Sequence, residues 1–564
     1  MTRSEVVLTA DMTNLMNQNA SFLSGFLASL PRDRIPPVIR TAVERIVFPK
    51  LRAEKGRLRY ATYGLRKIEA ALLDAGIGVS ILPAHSIRRI PDSVKVIGVS
   101  TMDPFGIGPA TSTAIGLFGG TSFNKYHFEK MMERLRKFGL PIIVGGSGAW
   151  QFKLFPEEMN RLGVDCVVVG DGEELAPKLF MKAIQGSKLP KIVDADQYRA
   201  NSYNPVIRNP AFWGFVEISR GCDRHCQFCD PAMREYDWMP IDKVLAEARV
   251  SVRGGMDTVT LHSEDIFRYG CDKGNWVPDD SLVSLIAAIK NELNVKNIAF
   301  THGALASVVA NPNNVERISH MLNLVDRPGG VQVGVETGSV KLIDKYMRGK
   351  PKPFKPEQWP DVVVSAFEIL TRNGIFPAAT LVVGLPGEEQ QDVVRTIELV
   401  DHLREFPSIL VPLFFVPLGV LKRDKRFFVR FGDMAEEIQE LYVKCGEHIL
   451  YWARKWATSW QGDMGTISKM ILWLGGSVMF RASEAAKNDE KITRSRIFSW
   501  FVQELAYYFG RGIENRGKEE FSYRKYVETF NKRHGEKHYP LLDMGELSGW
   551  YDNKEVTEED ILKT

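Results

Sequence analysis

Three cysteines fall within eight residues of the segment EISRGCDRHCQFCDP, at Cys222, Cys226 and Cys229, in the spacing C-x3-C-x2-C. Three thiolates on one loop can each bind one iron of a [4Fe-4S] cube, which leaves the fourth iron without a protein ligand and open to a small chelating molecule. The alternative is a zinc knuckle or an ordinary cluster, with His225, Asp230 or Cys271 as the fourth ligand. Zinc motifs usually pair two C-x2-C units, and this chain has no second pair. Cys166 and Cys445 are singletons inside apolar patterns and read as core residues. Cys271 fits either role. Six cysteines in 564 residues are too few for a disulfide scaffold.

The cysteine segment follows the strand-like run FVEIS at 215, the first of a series that continues with TVTLHS at 258, NIAFT at 297, VQVGVE at 331, ATLVVGL at 379 and ILVPLFFVP at 409. Helical patterns such as IDKVLAEARVSV and DVVRTIELVDHLREF separate them. Six strand and helix pairs predict a partial (β/α)6 barrel over 213–420, with its active face at the strand carboxyl ends. Residues 1–185 alternate five β-branched runs with amphipathic stretches, which predicts a doubly wound, Rossmann-like α/β domain. The polar, Pro-punctuated stretch 186–212 reads as a linker, and 31–58 as an inserted basic helical segment. Beyond 420 the β-branched runs stop, so 421–564 is expected to be a helical C-terminal domain.

Length and composition bound the rest. At ~150 residues per domain the chain holds two to four domains. Hydrophobic residues at 44% and charged residues at 25% exclude a disordered or fibrous protein. A net charge of +4 gives no global footprint for nucleic acid. The first residues lack the pattern of a secretory signal, and the most apolar run, MILWLGGSVMF at 470–480, is shorter than a membrane span. The expectation is a cytoplasmic protein without a transmembrane segment.

With Phe228 in the aromatic place, the cysteine motif resembles that of the radical S-adenosylmethionine (SAM) superfamily. SED at Ser263–Asp265 ends the second strand where that family carries Gly-Gly-Glu, although both glycines are absent. The resemblance implies that Glu264 takes the amino group of SAM, with Asp265 beside it. VGVETGSVKLIDKYMRGK resembles the fourth-strand motif of the branch that includes Elongator-type and methylthiotransferase enzymes, which implies that Glu336 and Ser339 contact the ribose or methionyl end. VVGLPGEE, with Gly384 and Gly387, resembles the segment that passes the adenine. Read without the family, Glu264 and Glu336 could each be a strand-end carboxylate in a solvated ion pair, and Gly-Leu-Pro-Gly only a turn.

In the first domain, VIGVSTMDPFGIGP, IIVGGSGAW and VVVGDGEE each end a strand with glycines, which allow close backbone approach and aim N–H groups at phosphate. They also make tight turns in many proteins that bind nothing. Set before a radical SAM unit, this domain resembles the cobalamin-binding domain of B12-dependent radical SAM enzymes. The resemblance implies Thr101, Met102, Asp103 and Phe105 beneath the corrin, and Gly145, Gly146, Gly170, Asp171, Gly172 and Glu173 along the nucleotide tail. No histidine lies in a D-x-H-x-x-G context; His85 is nearest and lacks the Asp. The expected activity is transfer of a methyl group from methylcobalamin to an unactivated carbon, with a [4Fe-4S] cluster, SAM and cobalamin as cofactors. SEDIFRYG and the helical C-terminal region resemble the archaeal group that methylates methyl-coenzyme M reductase, at a glutamine in particular. A peptide or protein substrate and a low-potential donor such as ferredoxin or flavodoxin would be the partners. The rivals are a B12-dependent cyclase or rrangement enzyme, a hopanoid-type lipid methylase and an Fe-S electron carrier. A methylthiotransferase would need a second cysteine trio before Cys222, where only Cys166 occurs.

Overall fold

The computed structural model describes residues 4–15, 26–35, 57–83, 90–195, 203–230, 235–419, 434–457 and 522–535, with isolated positions between them. His85, the 470–480 run save Ser477 and most of 421–564 lie outside the described residues, as does much of 31–58. Among the described residues no helix is long and apolar enough to cross a membrane.

The N-terminal sheet has six parallel strands: β1 (Val6–Ala10), β2 (Val79–Ile81), β3 (Val96–Ser100), β4 (Ile142–Gly145), β5 (Cys166–Val169) and β6 (Ile192–Asp194). Their order is β2-β1-β3-β4-β5-β6. All five residues of β1 are buried, as expected of a parallel strand covered on both faces. Crossover helices supply the covers. Helix Phe123–Leu135 starts at Ser122, whose hydroxyl accepts from Lys125 N at 3.2 Å, and buries Phe128, Met131, Met132 and Leu135 at helical spacing. The order reverses between β1 and β3, so their carboxyl ends form the crevice where doubly wound folds bind ligands. One expectation changes here. Ile192 and Val193, inside the predicted linker, pair with Val167 and Val168 and extend the sheet by a sixth strand. The flanking Pro190 and the brevity of β6 hide it from any periodicity.

The second half begins with β7 (Phe215–Glu217), then a two-stranded antiparallel ladder of β8 (Ser219–Arg220) and β9 (Asp237–Trp238). It continues with β10 (Thr258–His262), β11 (Asn297–Phe300), β12 (Gly329–Glu336), β13 (Ile375–Val383) and β14 (Ile409–Phe414). Strands β7, β10 and β11 form one parallel sheet and β12, β13 and β14 another, joined by a parallel bridge between His302 and Gln332. The result is an arc of six parallel strands in chain order. Val331, Val333, Val335, Leu381 and Val383 are buried in one core with the surrounding helices, whereas Gln332, Gly334, Thr380 and Val382 between them are only half-buried. The half-buried face is the interior of the arc.

Both lips of the arc touch the N-terminal unit. At β14, Phe414 N donates to Thr113 Oγ1 at 2.8 Å, and its ring lies against Gly116, where a side chain would clash. At the β7 side, Lys67 on helix Tyr63–Asp74 pairs with Glu247 on helix Ile241–Arg253, and Tyr63 Oη donates to the same carboxylate at 2.5 Å. C-terminal helices brace the arc from outside. Helix Glu436–Ala457 buries Trp452 and Ile449 against Ile409, and Tyr523 of helix Tyr523–His534 donates to Thr371 O at 3.0 Å.

Lys67 and Glu247 side chains are each 2% exposed, so removing one partner strands a charge in the interior. Lys67→Met is expected to lower unfolding stability by about 3 kcal/mol. Lys67→Met/Glu247→Leu should recover much of that loss, as read by denaturant titration.

Candidate functional site

The cysteine loop has no regular structure of its own and turns through left-handed backbone at Gly221, Asp223 and His225. Its conformation is fixed by neighbours. Gln227 N donates to Tyr346 O at 2.9 Å, Leu421 N donates to Gln227 O at 3.3 Å, and Cys229 N donates to Cys226 O at 3.0 Å. A Cβ at Gly419 would lie 2.6 Å from Gln227 O, and one at Gly349 would run into Arg224 O. These two glycines let flanking segments press directly on the loop.

Two buried arginines carry the loop from behind. Arg224 donates to the carbonyls of Lys350 at 2.7 Å and Lys352 at 3.0 Å, to Asp265 at 3.1 Å and to Ser307 Oγ at 2.8 Å. Arg268 pairs with Asp223 and donates to Cys222 O at 3.2 Å. Both guanidiniums lie over Trp276, at 4.9 and 4.0 Å from the ring centre. Cys226 is buried and Cys222 and Cys229 are half-buried. Burial pushes the Cys222 thiol up to about 12, opposed first by Arg224. Burial also raises Cys226, opposed first by Lys350.

Among the described residues no three His, Cys, Asp or Glu side chains converge on a point where one ion could sit. A cube asks for a different geometry, because each thiolate holds its own iron. Three thiols on one loop are the donor set that a cube with one open iron needs. Cys271 is buried with its thiol toward Val277 O at 3.7 Å, and Cys166 and Cys445 are core residues of β5 and of helix Glu436–Ala457.

The residues expected around SAM lie at successive strand ends. Phe228 packs half-buried against the main core. Glu264 is half-buried beyond β10 with no hydrogen bond or ion pair among the described residues, and so keeps its acceptor capacity. Asp265 is saturated by Arg224, Ser307 Oγ at 2.6 Å and Ala304 N at 3.0 Å, so it braces the site. Glu336 ends β12 after a bulge, in left-handed backbone with φ 65°, and pairs with Lys350 at 2.9 Å. Ser339 caps helix Val340–Tyr346 and donates to Asp392 at 2.6 Å. Gly384 (φ 91°) donates its N–H to Glu388 at 2.6 Å, while Gly387 also turns with positive φ. Next to Glu264, burial pushes His262 down to about 4, so that imidazole is neutral at pH 7.

In the N-terminal unit, Thr101 follows β3 with its hydroxyl buried and without a hydrogen-bond partner. A Cβ at Gly146 would lie 2.6 Å from Thr101 O. Asp103 accepts from Ile107 N, Gly108 N, Thr111 and Gln151, which closes the loop on itself, and Phe105 packs on Phe152 and Phe155. Met102 is exposed. Gly145 ends β4, and Gly170 turns after β5 with φ 96°. A Cβ at Gly172 would make ordinary van der Waals contact with Val168 and Ile68, while Asp171 (3.4 Å) and Glu173 (2.6 Å) reach Arg220, two residues before Cys222. The orphaned Thr101 hydroxyl at the β1/β3 crevice fits a ligand that brings a hydrogen-bonding edge.

Sequence reasoning does not find Arg220, Arg224, Arg268, Trp276 or Lys350. Arg220 and Arg224 flank the first cysteine and Arg268 sits in SEDIFRYG, but their partners lie 40 or more positions away in the chain for the contacts that matter.

Residues 216–400, which carry five of the six strands of the arc, match the family model of the Radical SAM superfamily. The chain is 26% identical over 285 residues to the tRNA-2-methylthio-N(6)-dimethylallyladenosine synthase of Anaplasma marginale (strain St. Maries), covering 48% of this chain and 57% of that protein. It is 24% identical over 292 residues to the ribosomal protein uS12 methylthiotransferase RimO of Geobacter sulfurreducens, covering 51% and 60%. The chain thus spans about half the length of the curated relatives it matches. Among solved structures it is similar to the radical SAM methyltransferase TsrM of Kitasatospora setae with cobalamin and a [4Fe-4S] cluster bound (14% identity, 74% of each chain, TM-score 0.48). It is also similar to the cobalamin-dependent radical SAM enzyme OxsB with aqua-cobalamin bound (12% identity, 89% and 84%, TM-score 0.47).

Gly349→Ala is expected to displace Arg224 and lower iron per chain after anaerobic reconstitution, with far-ultraviolet circular dichroism unchanged. Burial pushes the Glu388 carboxyl up to about 7. A carboxyl raised on folding binds its proton more tightly in the native state, so stability falls as pH rises from about 4.5 through 7. Glu388→Gln should flatten that part of the melting-temperature profile.

Proposed function

We propose that this chain is a cobalamin-dependent radical SAM methyltransferase that acts on an unactivated carbon. The observation that carries the reading is the ion pair between Arg220 and Glu173. It ties the strand that leads into the cysteine loop to the β5 turn expected to follow the nucleotide tail, and so fixes two cofactor sites against each other. When bound, the cube and SAM supply a carbon-centred radical and cobalamin supplies the methyl group. The protein's part is positioning and exclusion of water.

Cys222, Cys226 and Cys229 would hold the cube. Glu264 offers a carboxylate to the SAM ammonium, and Glu336, paired with Lys350, a second carboxylate at the next motif. The strand end at Thr101 would lie beneath the corrin, with Asp103 shaping its loop, and Gly146 and Gly170 would line the nucleotide tail.

The two curated relatives named above are a 2-methylthio synthase and a methylthiotransferase, but a second cysteine trio is absent from this sequence, and Cys166 is locked in β5. That favours methyl over sulfur transfer. The substrate we propose is a peptide carbon, with a glutamine of methyl-coenzyme M reductase as the first to try, and ferredoxin or flavodoxin as donor. A cyclisation of the same architecture or a lipid methylation would give a different product from the same cofactors.

Anaerobic reconstitution should yield about four irons per chain and cleavage of SAM to 5′-deoxyadenosine that falls to background in Cys222→Ala. Cobalamin should bind stoichiometrically. Protein that binds no corrin under saturating conditions would exclude the methylase reading.

A further inference from the structure

We infer that Lys350 is a positioning residue whose fixed positive charge raises the reduction potential of the cluster, and that Glu336 tempers it. This rests on the radical SAM reading of the cysteine loop. The geometry is specific. Lys350 follows Gly349, whose lack of a side chain lets the backbone lie against Arg224 O, and its own carbonyl is held by Arg224 at 2.7 Å. The backbone of Lys350 is therefore clamped to the cysteine loop. Its side chain turns into the arc, 14% exposed, and meets Glu336 at 2.9 Å, 10% exposed. Both heads sit over Gly334, where a Cβ would lie 2.7 Å from Nζ, so the space they occupy exists because that residue is glycine.

The Lys350 carbonyl accepts from Arg224, which stands between Cys222 and Cys226, and its ammonium is held on Glu336 at the end of β12, so both charges lie beside the cysteine loop. The other buried cations behave differently: Arg224 and Arg268 spend their donors on loop carbonyls and on Asp265 and Asp223. Reduction delivers one electron from a low-potential donor to an assembly that three thiolates already make negative. In a water-poor interior a nearby cation favours that step and a nearby anion opposes it. Lys350 and Glu336 thus form a dipole set between a cube ligand and a carboxylate expected to meet SAM.

The test is an electron-paramagnetic-resonance redox titration of reconstituted full-length protein without SAM, with dithionite as reductant. Lys350→Met keeps the stem and removes the charge, and should lower the reduction equilibrium about tenfold, a shift of about 59 mV for one electron. Glu336→Gln should shift it the opposite way by a similar factor, Lys350→Met/Glu336→Gln should return toward wild type, and Lys350→Arg should stay there. If Lys350→Met loses its iron, the sign seen in Glu336→Gln decides. Equal potentials in all variants, or shifts of one sign in both single variants, overturn the proposal. Wild-type protein that assembles no cube overturns the reading beneath it, and this one with it, a result separable from cube-bearing variants that do not shift.

Discussion

A guanidinium moved out of water costs several kcal/mol unless nearly every N–H finds an acceptor. Arg224 meets that demand at both terminal nitrogens, its buried Nε alone finding no acceptor, by gathering partners from parts of the chain that are far apart in sequence: Asp265 after β10, Ser307 after β11, and the carbonyls of Lys350 and Lys352 beyond β12. Because Arg224 itself lies between the first two cysteines, the loop after β7 is fixed to three other strand ends by one cation. The placement of the three thiols depends on that convergence. Without it, three thiols on an irregular loop would have no defined separation.

The same logic operates at the edge of the arc. Six parallel strands do not close, and an open sheet leaves both end strands in need of cover. The N-terminal unit meets both lips, through Thr113 and Phe414 on one side and through Lys67, Tyr63 and Glu247 on the other. Arg220 adds a third tie at the mouth. The unit that carries the strand ends expected to hold cobalamin therefore also covers both lips of the arc.

Much of this was legible in the residues. Runs rich in Val and Ile located β1, β3, β4, β5 and all six strands of the arc, because a parallel strand buried on both faces reads as a continuous apolar stretch. The thiol spacing is local, so its loop was legible too. Other features depend on partners distant in sequence. Nothing near Arg268 announces Asp223, and nothing near Lys350 announces Glu336. Asp265 and Ser339 stand in motif positions, yet their acceptors and donors are taken by Arg224 and Asp392. β6 was hidden because a short edge strand carries too few residues for a period to emerge.

Glu336 holds a backbone state that a residue with a Cβ adopts at a cost of about 1–3 kcal/mol. Glycine or asparagine would rest there more comfortably. Selection acting on folding alone would therefore erode this glutamate, while selection acting on chemistry would preserve it. Among natural variants of this chain, position 336 is a place where the two pressures point in opposite directions, and its retention would report on catalysis without any assay.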